Sequence, residues 1–322
     1  MEMRKIQVTG KSTFVMTLPK KWAVRSKLQA GSQVALTLQD DGSLVITPEN
    51  CIVRSSRTIL ESGDDFEELK RDLIGLYLVG RYDFIEIRGS PVPKATRNGI
   101  GAVCEQLVGL EIVDSDDDHI LIQDLLDADN FTIERGLQRL YAITITMIDD
   151  LIRALETNDR EMLDYVISRD SDADRLFMLI SKQFINRLNL KKVSSFDSLT
   201  LIRAFYCRLA AENIERIADH ATRIAEYVQS ASYHGENSVK LKTLLGKAQD
   251  LFRESYESLR YSDRALANKV LSRQETLFDD PGEDSGCVRG GCTCMDLPVT
   301  SISRIRDHAA NIAEFTIDLS QL

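Results

Sequence analysis

Proline is absent from the long stretch between Pro93 and Pro281, and across residues 129–233 the one glycine is Gly136. Both residue types interrupt helices, so their absence predicts long helices over this half of the chain. Long apolar runs are missing too, and no stretch approaches the ~18 residues that a membrane span needs. The N-terminus, MEMRKIQVTG, has no apolar segment behind its basic residues. A secretory signal is therefore not expected, and the chain reads as a soluble, cytoplasmic protein without membrane insertion. Cysteine is sparse: six in 322 residues do not make a disulfide framework, so reduced thiols are expected. Cys51, Cys104 and Cys207 are isolated and read as packing residues. Cys287, Cys292 and Cys294, in CVRGGCTC, lack the regularly spaced fourth ligand of a zinc site. Two readings of this cluster stand, a soft-metal or redox site and a loop of reduced thiols.

Catalytic signatures are also missing. The chain has no G-x-x-x-x-G-K-S/T loop, no recognisable nucleophile–base pair and no complete zinc motif, so it reads as a binding protein rather than an enzyme. Positive charge is in deficit, with 40 Lys and Arg against 50 Asp and Glu. Yet residues 1–27 hold Arg4, Lys5, Lys11, Lys20, Lys21, Arg25 and Lys27 against the single acid Glu2. That asymmetry suggests a small basic module on an acidic body.

What is present divides the chain into a multidomain arrangement. Residues 4–9, 13–18, 33–38 and 43–47 are short β-rich runs, and Asp41-Gly42 between the last two is a hairpin signal. Pro19 suits the first position of one short helix that stops near Gly31, giving a mostly β module over 1–50. Residues 51–128 alternate strand-like and helical segments (RTIL, DFEELKRDLIGLYLVG, DFIEIRG, EIVDS, HILIQDLL) and predict a small α+β domain. Helices are expected at 131–157, 159–189, 196–231, 238–263, 264–280 and 299–320. They form two all-α three-helix bundles, over 129–233 and 234–322.

The two bundles read as a duplication. NIERIADHATRIAEYV (213–228) and SISRIRDHAANIAEFT (301–316) share nine of sixteen positions without a gap. VISR (166–169) and VLSR (270–273) precede them in the same order. The offsets are 88 and 104 residues, so the second unit is shorter by 16 between these points and its middle helix should be truncated.

Ile214, Ile217, Ala221, Ile224 and Val228 follow a 3-4-3-4 spacing and predict one buried seam. Glu212, Glu215, Asp219 and Glu226 fall on an adjacent stripe, and Asp170 with Asp174 makes a second acidic i,i+4 pair on the middle helix. Like charges at this spacing cost about 0.2–0.5 kcal/mol per pair, which a bound cation or facing arginines would relieve. Two such pairs on neighbouring helices suit an oxygen-ligand metal site. The alternative is a pair of solvated faces balanced by Arg169, Arg175 and Arg223. His220 and His308 each follow the shared Asp and read as hydrogen-bonded structural residues rather than ligands.

ERIADHA followed by IAE resembles the signature of PhoU-type phosphate-uptake regulators, over about 131–322. The resemblance implies tandem three-helix bundles and a metal ion, divalent or ferric, held on the first bundle by Asp170, Asp174, Glu215 and Asp219. The second unit departs from the pattern, with Gln274, Phe278 and Ser303 in place of three acids and Asp307 alone retained, which implies loss of a second site. Residues 1–50 (strand, Gly10-Lys11 turn, T-L-P, short helix, AGSQV, DG hairpin) resemble the AbrB/SpoVT-type swapped-hairpin DNA-binding domains. That resemblance implies an intertwined homodimer whose Arg4, Lys5, Lys11, Lys20, Lys21 and Arg25 contact DNA. Together the two imply a DNA-binding transcriptional regulator of phosphate uptake. The alternative is an adaptor that docks on a phosphate ABC transporter subunit and uses its N-terminal module only to dimerise.

Overall fold

The hairpin signals of the first fifty residues become two antiparallel ladders. In the computed structural model, which describes residues 3–10, 12–38, 42–48, 56–126, 131–189, 198–230, 236–276 and 296–322, β1 (Gln7–Thr9) pairs with β2 (Thr13–Val15), and β3 (Val34–Leu38) pairs with β4 (Leu44–Pro48). Between the ladders lies the short helix α1 (Lys20–Arg25), entered from Pro19, whose fixed φ suits a helix start. These elements form one unit, Met1–Ser56, and the rest of the chain a second, Arg57–Leu322. Lys11, Cys51, Phe278 and the Cys287/Cys292/Cys294 loop lie outside the described residues.

The first unit has almost no interior of its own. Among its described residues only Pro48 is buried, while Phe14, Leu36 and Leu38 are 74%, 62% and 75% exposed. Alternating strands normally bury one face, and here neither ladder does.

The second unit begins with a four-stranded sheet of order β5-β6-β8-β7, built from β5 (Arg57–Glu61), β6 (Phe84–Arg88), β7 (Leu110–Ser115) and β8 (His119–Asp124). β5 and β6 are parallel and joined through α2 (Phe66–Val79); β6, β8 and β7 are antiparallel neighbours, with α3 (Lys94–Gln106) between β6 and β7. Asp65 caps α2 by accepting from Glu67 N–H. Leu69, Leu73 and Tyr77 of α2, Ile100 and Val103 of α3, and the sheet residues Ile85, Ile87, Ile120 and Ile122 form its core. This α+β segment accords with the alternation of the sequence.

Seven helices follow among the described residues: α4 (Ile133–Thr157), α5 (Arg160–Ser168), α6 (Asp170–Asn189), α7 (Ser198–Ser230), α8 (Glu236–Tyr261), α9 (Arg264–Thr276) and α10 (Asp296–Leu319). The helix expected over 159–189 is divided at Arg169 into α5 and α6. At the junction the Ser168 hydroxyl donates to the Tyr165 carbonyl and the Ser171 hydroxyl to the Ser168 carbonyl. Serine hydroxyls that bond back to carbonyls in this way compete with the helical ladder and bend it.

The seam residues Ile214, Ile217, Ala221 and Ile224 are fully buried, and so are their second-copy counterparts Ile302, Ile305, Ala309 and Ile312. Both sets belong to one continuous core that draws on all seven helices. Each fully buried isoleucine contributes roughly 1.5–3 kcal/mol relative to exposure, so the repeated motif is first of all a packing motif. Gly136 has a steric reason to stand alone in its long stretch: a Cβ there would meet the Phe131 ring at 2.7 Å and Ile180 at 2.8 Å.

The sheet domain is anchored on α6. Lys182, 1% exposed, pairs with Asp124 at the end of β8 and lies 4.1 Å from the centre of the Tyr77 ring. Gly80, at φ 60°, closes α2 so near to Asn186 that a Cβ would lie 2.1 Å from its Oδ1. Among the described residues, no helix is long and apolar enough to cross a membrane.

Candidate functional site

The buried seam of α7 turns the neighbouring stripe of that helix toward α6, and acidic residues from the two helices meet there. Asp174, Glu215 and Asp219 each offer a carboxylate oxygen within 4.8 Å of the others. Asp170 stands one turn from Asp174 on α6, but its Oδ1 accepts from the Thr222 hydroxyl at 3.1 Å and it is not a member of that trio. Glu215 is 9% exposed, and its Oε2 is buried without a hydrogen-bond partner.

Crowding and burial weaken these acids. Burial, followed by the charge of Asp219, pushes the Glu215 carboxyl up to about 7. Burial, followed by Asp170 and Asp219, raises Asp174 to about 6. Asp170 is also raised, chiefly by burial, with the Thr222 hydrogen bond opposing the shift.

The cation at the cluster is one that the sequence reading missed. Arg216 lies 3.1 Å from Asp219 Oδ2 and 3.5 Å from Glu215 Oε2. Its position, flanking one acid and three residues from the other, was the available signal. Arg169, read as a balancing charge, instead pairs with Asp172 at 3.2 Å. Glu212 pairs with Arg208 and is not one of the trio.

The two copies of the D-H-A motif bring their histidines together. The His220 and His308 rings are 5.9 Å apart and tilted by 28°. His308 Nδ1 lies 3.0 Å from Asn213 Oδ1, which also accepts from Asn311. An amide oxygen only accepts, so His308 carries its proton on Nδ1. His220 Nδ1 is buried without a partner, unlike the hydrogen-bonded residue expected from the sequence. Burial, then Arg223 and His308, pushes His220 down to about 4, so it is neutral at ordinary pH.

In the second copy Ser303 stands opposite Glu215, and Asp307 is engaged by Arg304 at 3.6 Å and Arg306 at 2.8 Å. The retained acid is therefore neutralised by side chains of its own helix.

On the first unit, Arg4, Lys20, Lys21 and Arg25 line a cavity of about 740 Å³ together with Val24. Lys5 is exposed beside Arg4 in sequence but does not line it.

The family model of the PhoU domain matches residues 137–228. The chain carries a PhoU domain. All of Asp170, Asp174, Glu215 and Asp219 fall within its span. Residues 7–50 match the model of the antidote-toxin recognition MazE bacterial antitoxin, so the N-terminal unit is of the MazE/AbrB type. Two curated relatives, both named phosphate-specific transport system accessory protein PhoU homolog, come from Caulobacter vibrioides strains NA1000/CB15N and CB15. Each is 28% identical over 105 residues, 32% of this chain and 43% of the relative, so the match spans less than half the length of either relative. The crystal structure of PhoU from Pseudomonas aeruginosa superposes with a TM-score of 0.50 at 19% identity, over 59% of this chain and 95% of that one. That likeness is one of fold, and the PhoU-type bundle is the fold on which the acidic cluster sits.

The cluster in the PhoU domain suits a metal ion on its own chemistry. Three carboxylates converge, one oxygen is buried without a hydrogen bond, and the donors are all oxygen, which favours a hard cation.

Proposed function

We propose that this protein is a DNA-binding transcriptional regulator of phosphate uptake that acts by binding rather than by catalysis. The observation that carries the reading is the pairing, in one chain of net charge −10, of a PhoU domain with a MazE/AbrB-type unit whose Arg4, Lys20, Lys21 and Arg25 gather around one concave face. Lys5 and Lys11 extend the same basic segment and belong to the proposed contact set. A homodimer through the N-terminal unit would cover the apolar side chains that a single copy leaves exposed, and it would double the basic face. In this reading the bundles receive the phosphate-status signal from a phosphate ABC transporter subunit and shift the affinity of the reader for DNA; the relatives are named as accessory proteins of a phosphate-specific transport system.

Asp174, Glu215 and Asp219 would hold the metal ion, with Asp170 adjacent, and the ion would add positive charge beyond the single guanidinium of Arg216. Removing the mutual repulsion of the carboxylates would stiffen the α6–α7 pair.

Filter binding of the full chain to the DNA upstream of its own gene tests the reading. With roughly 6–10 phosphate contacts, affinity is expected to fall by about 10³–10⁵ between 50 and 200 mM salt. Sequence-independent binding, or none, would sink it.

The exposed apolar residues also favour the second reading, since dimerisation alone would satisfy them. In that case neutralising Lys11, Lys20 and Lys21 leaves phosphate regulation in cells unchanged, and the chain is a docking adaptor.

A further inference from the structure

Three helices of the bundle converge on a cleft rich in arginine. Arg135 near the start of α4, Arg203 on α7 and Arg260 at the end of α8 line a cavity of about 160 Å³. All three are exposed at the rim, whereas Leu137, Cys207, Tyr256 and Leu259 form a buried floor. Among the described residues, none of the three arginines is within ion-pairing distance of a carboxylate. The acid in the lining, Glu134, has Arg187 at 4.0 Å. In a chain with ten more acids than bases, the cleft sets three guanidiniums, without acidic partners among the described residues, against the single carboxylate of Glu134.

The floor adds neutral donors. Burial pushes the Cys207 thiol up to about 11 and the Tyr256 hydroxyl up to about 12, so both keep their protons at neutral pH. Gln138 supplies an amide at the rim. A water needs roughly 10–15 Å³ on the same measure, so the cleft has room for a tetrahedral oxyanion with some solvent, and none for a strand of duplex DNA. Guanidinium forks match phosphate oxygens bidentately, and charge-assisted hydrogen bonds of this type are about twice as strong as neutral ones.

We propose that the α4/α7/α8 cleft is a binding site for a phosphate oxyanion, either free inorganic phosphate or the phosphate group of a small ester, held by Arg135, Arg203 and Arg260. The site is distinct from the acidic cluster. Cys207 and Asp219 lie twelve residues apart on α7, which is about 18 Å along a helix. Neither DNA binding nor a metal ion is needed for it.

Isothermal titration of the chelator-treated full-length protein tests the proposal, with inorganic phosphate and glycerol phosphate as separate probes. Saturable binding of either probe is expected. Arg203→Gln and Arg260→Gln should each weaken it by about 10- to 100-fold, the loss of one hydrogen bond between charged groups. Glu215→Gln should leave it unchanged. Binding of inorganic phosphate identifies the free anion as the ligand, and binding of the ester alone identifies a phosphorylated metabolite. Because both arginines are exposed, the variants should melt with the wild type, and a matched melting curve separates lost binding from lost fold. Equal affinity in the doubly substituted protein, or no saturable binding of either probe, overturns the proposal.

Discussion

Glu215 is forced into its position by its neighbours. Ile214 and Ile217 must face the seam, and a helix of 3.6 residues per turn then carries Glu215, the first of the two residues between them, to the edge of the core beside Asp174 and Asp219. A carboxyl held at about 7 when folded and near 4.5 when unfolded binds a proton in the folded state alone between those values. Its penalty is absent below the lower value and complete above the upper one, so metal-free stability falls as pH rises through the window. Glu215→Gln removes this slope. In urea unfolding with chelator present, the variant is expected to gain on the wild type by on the order of 3 kcal/mol between about pH 4.5 and pH 8. His220, pushed down to about 4, favours the opposite direction but is present in both proteins and cancels. A difference that is flat with pH would show that Glu215 is charged throughout. Asp219→Ala tests the metal directly. Elemental analysis after dialysis against a divalent cation, and separately against ferric iron, is expected to show less bound metal in the variant, and equal content would remove Asp219 as a ligand.

Helix α6 joins two parts of the molecule. Its first two turns carry Asp170 and Asp174, while Lys182 and Asn186 further along hold β8 and the end of α2. Lys182→Met should leave Asp124, 15% exposed, without its cation and destabilise the protein by about 3–5 kcal/mol in chemical denaturation. Adding Asp124→Asn should recover much of that loss. Full stability in the single variant would mean that the pair does not secure the interface. This contact was not legible in advance, because Lys182 and Asp124 are far apart in sequence and a lysine on a helix normally reads as solvated. The helices themselves were legible from the run without proline and from the 3-4 apolar spacing. The break at Arg169 was not, because it depends on serine hydroxyls choosing carbonyls over water.

At the scale of the whole molecule, the N-terminal unit leaves its large apolar side chains, Phe14, Leu36 and Leu38 among them, mostly exposed in a single copy. Phe14→Asp together with Leu36→Asp is therefore expected to convert a dimer to a monomer in sedimentation equilibrium, since each buried large hydrophobe contributes roughly 1.5–3 kcal/mol. A wild-type chain that is already monomeric would refute the dimer.

The amino-acid sequence by itself determined the element types, the duplicated motif and its conserved seam, and the segregation of positive charge to the first residues. Each of these is a local or periodic property, written at fixed spacing along the chain. Only the tertiary structure decided which acids share a site, leaving Asp170 with Thr222 and bringing Asp174 of α6 to Glu215 and Asp219 of α7. It also decided that the two histidines face each other and that arginines from α4, α7 and α8 surround one cleft. These are relations between separate helices, and their distances follow from how the apolar seams pack rather than from any spacing in the chain.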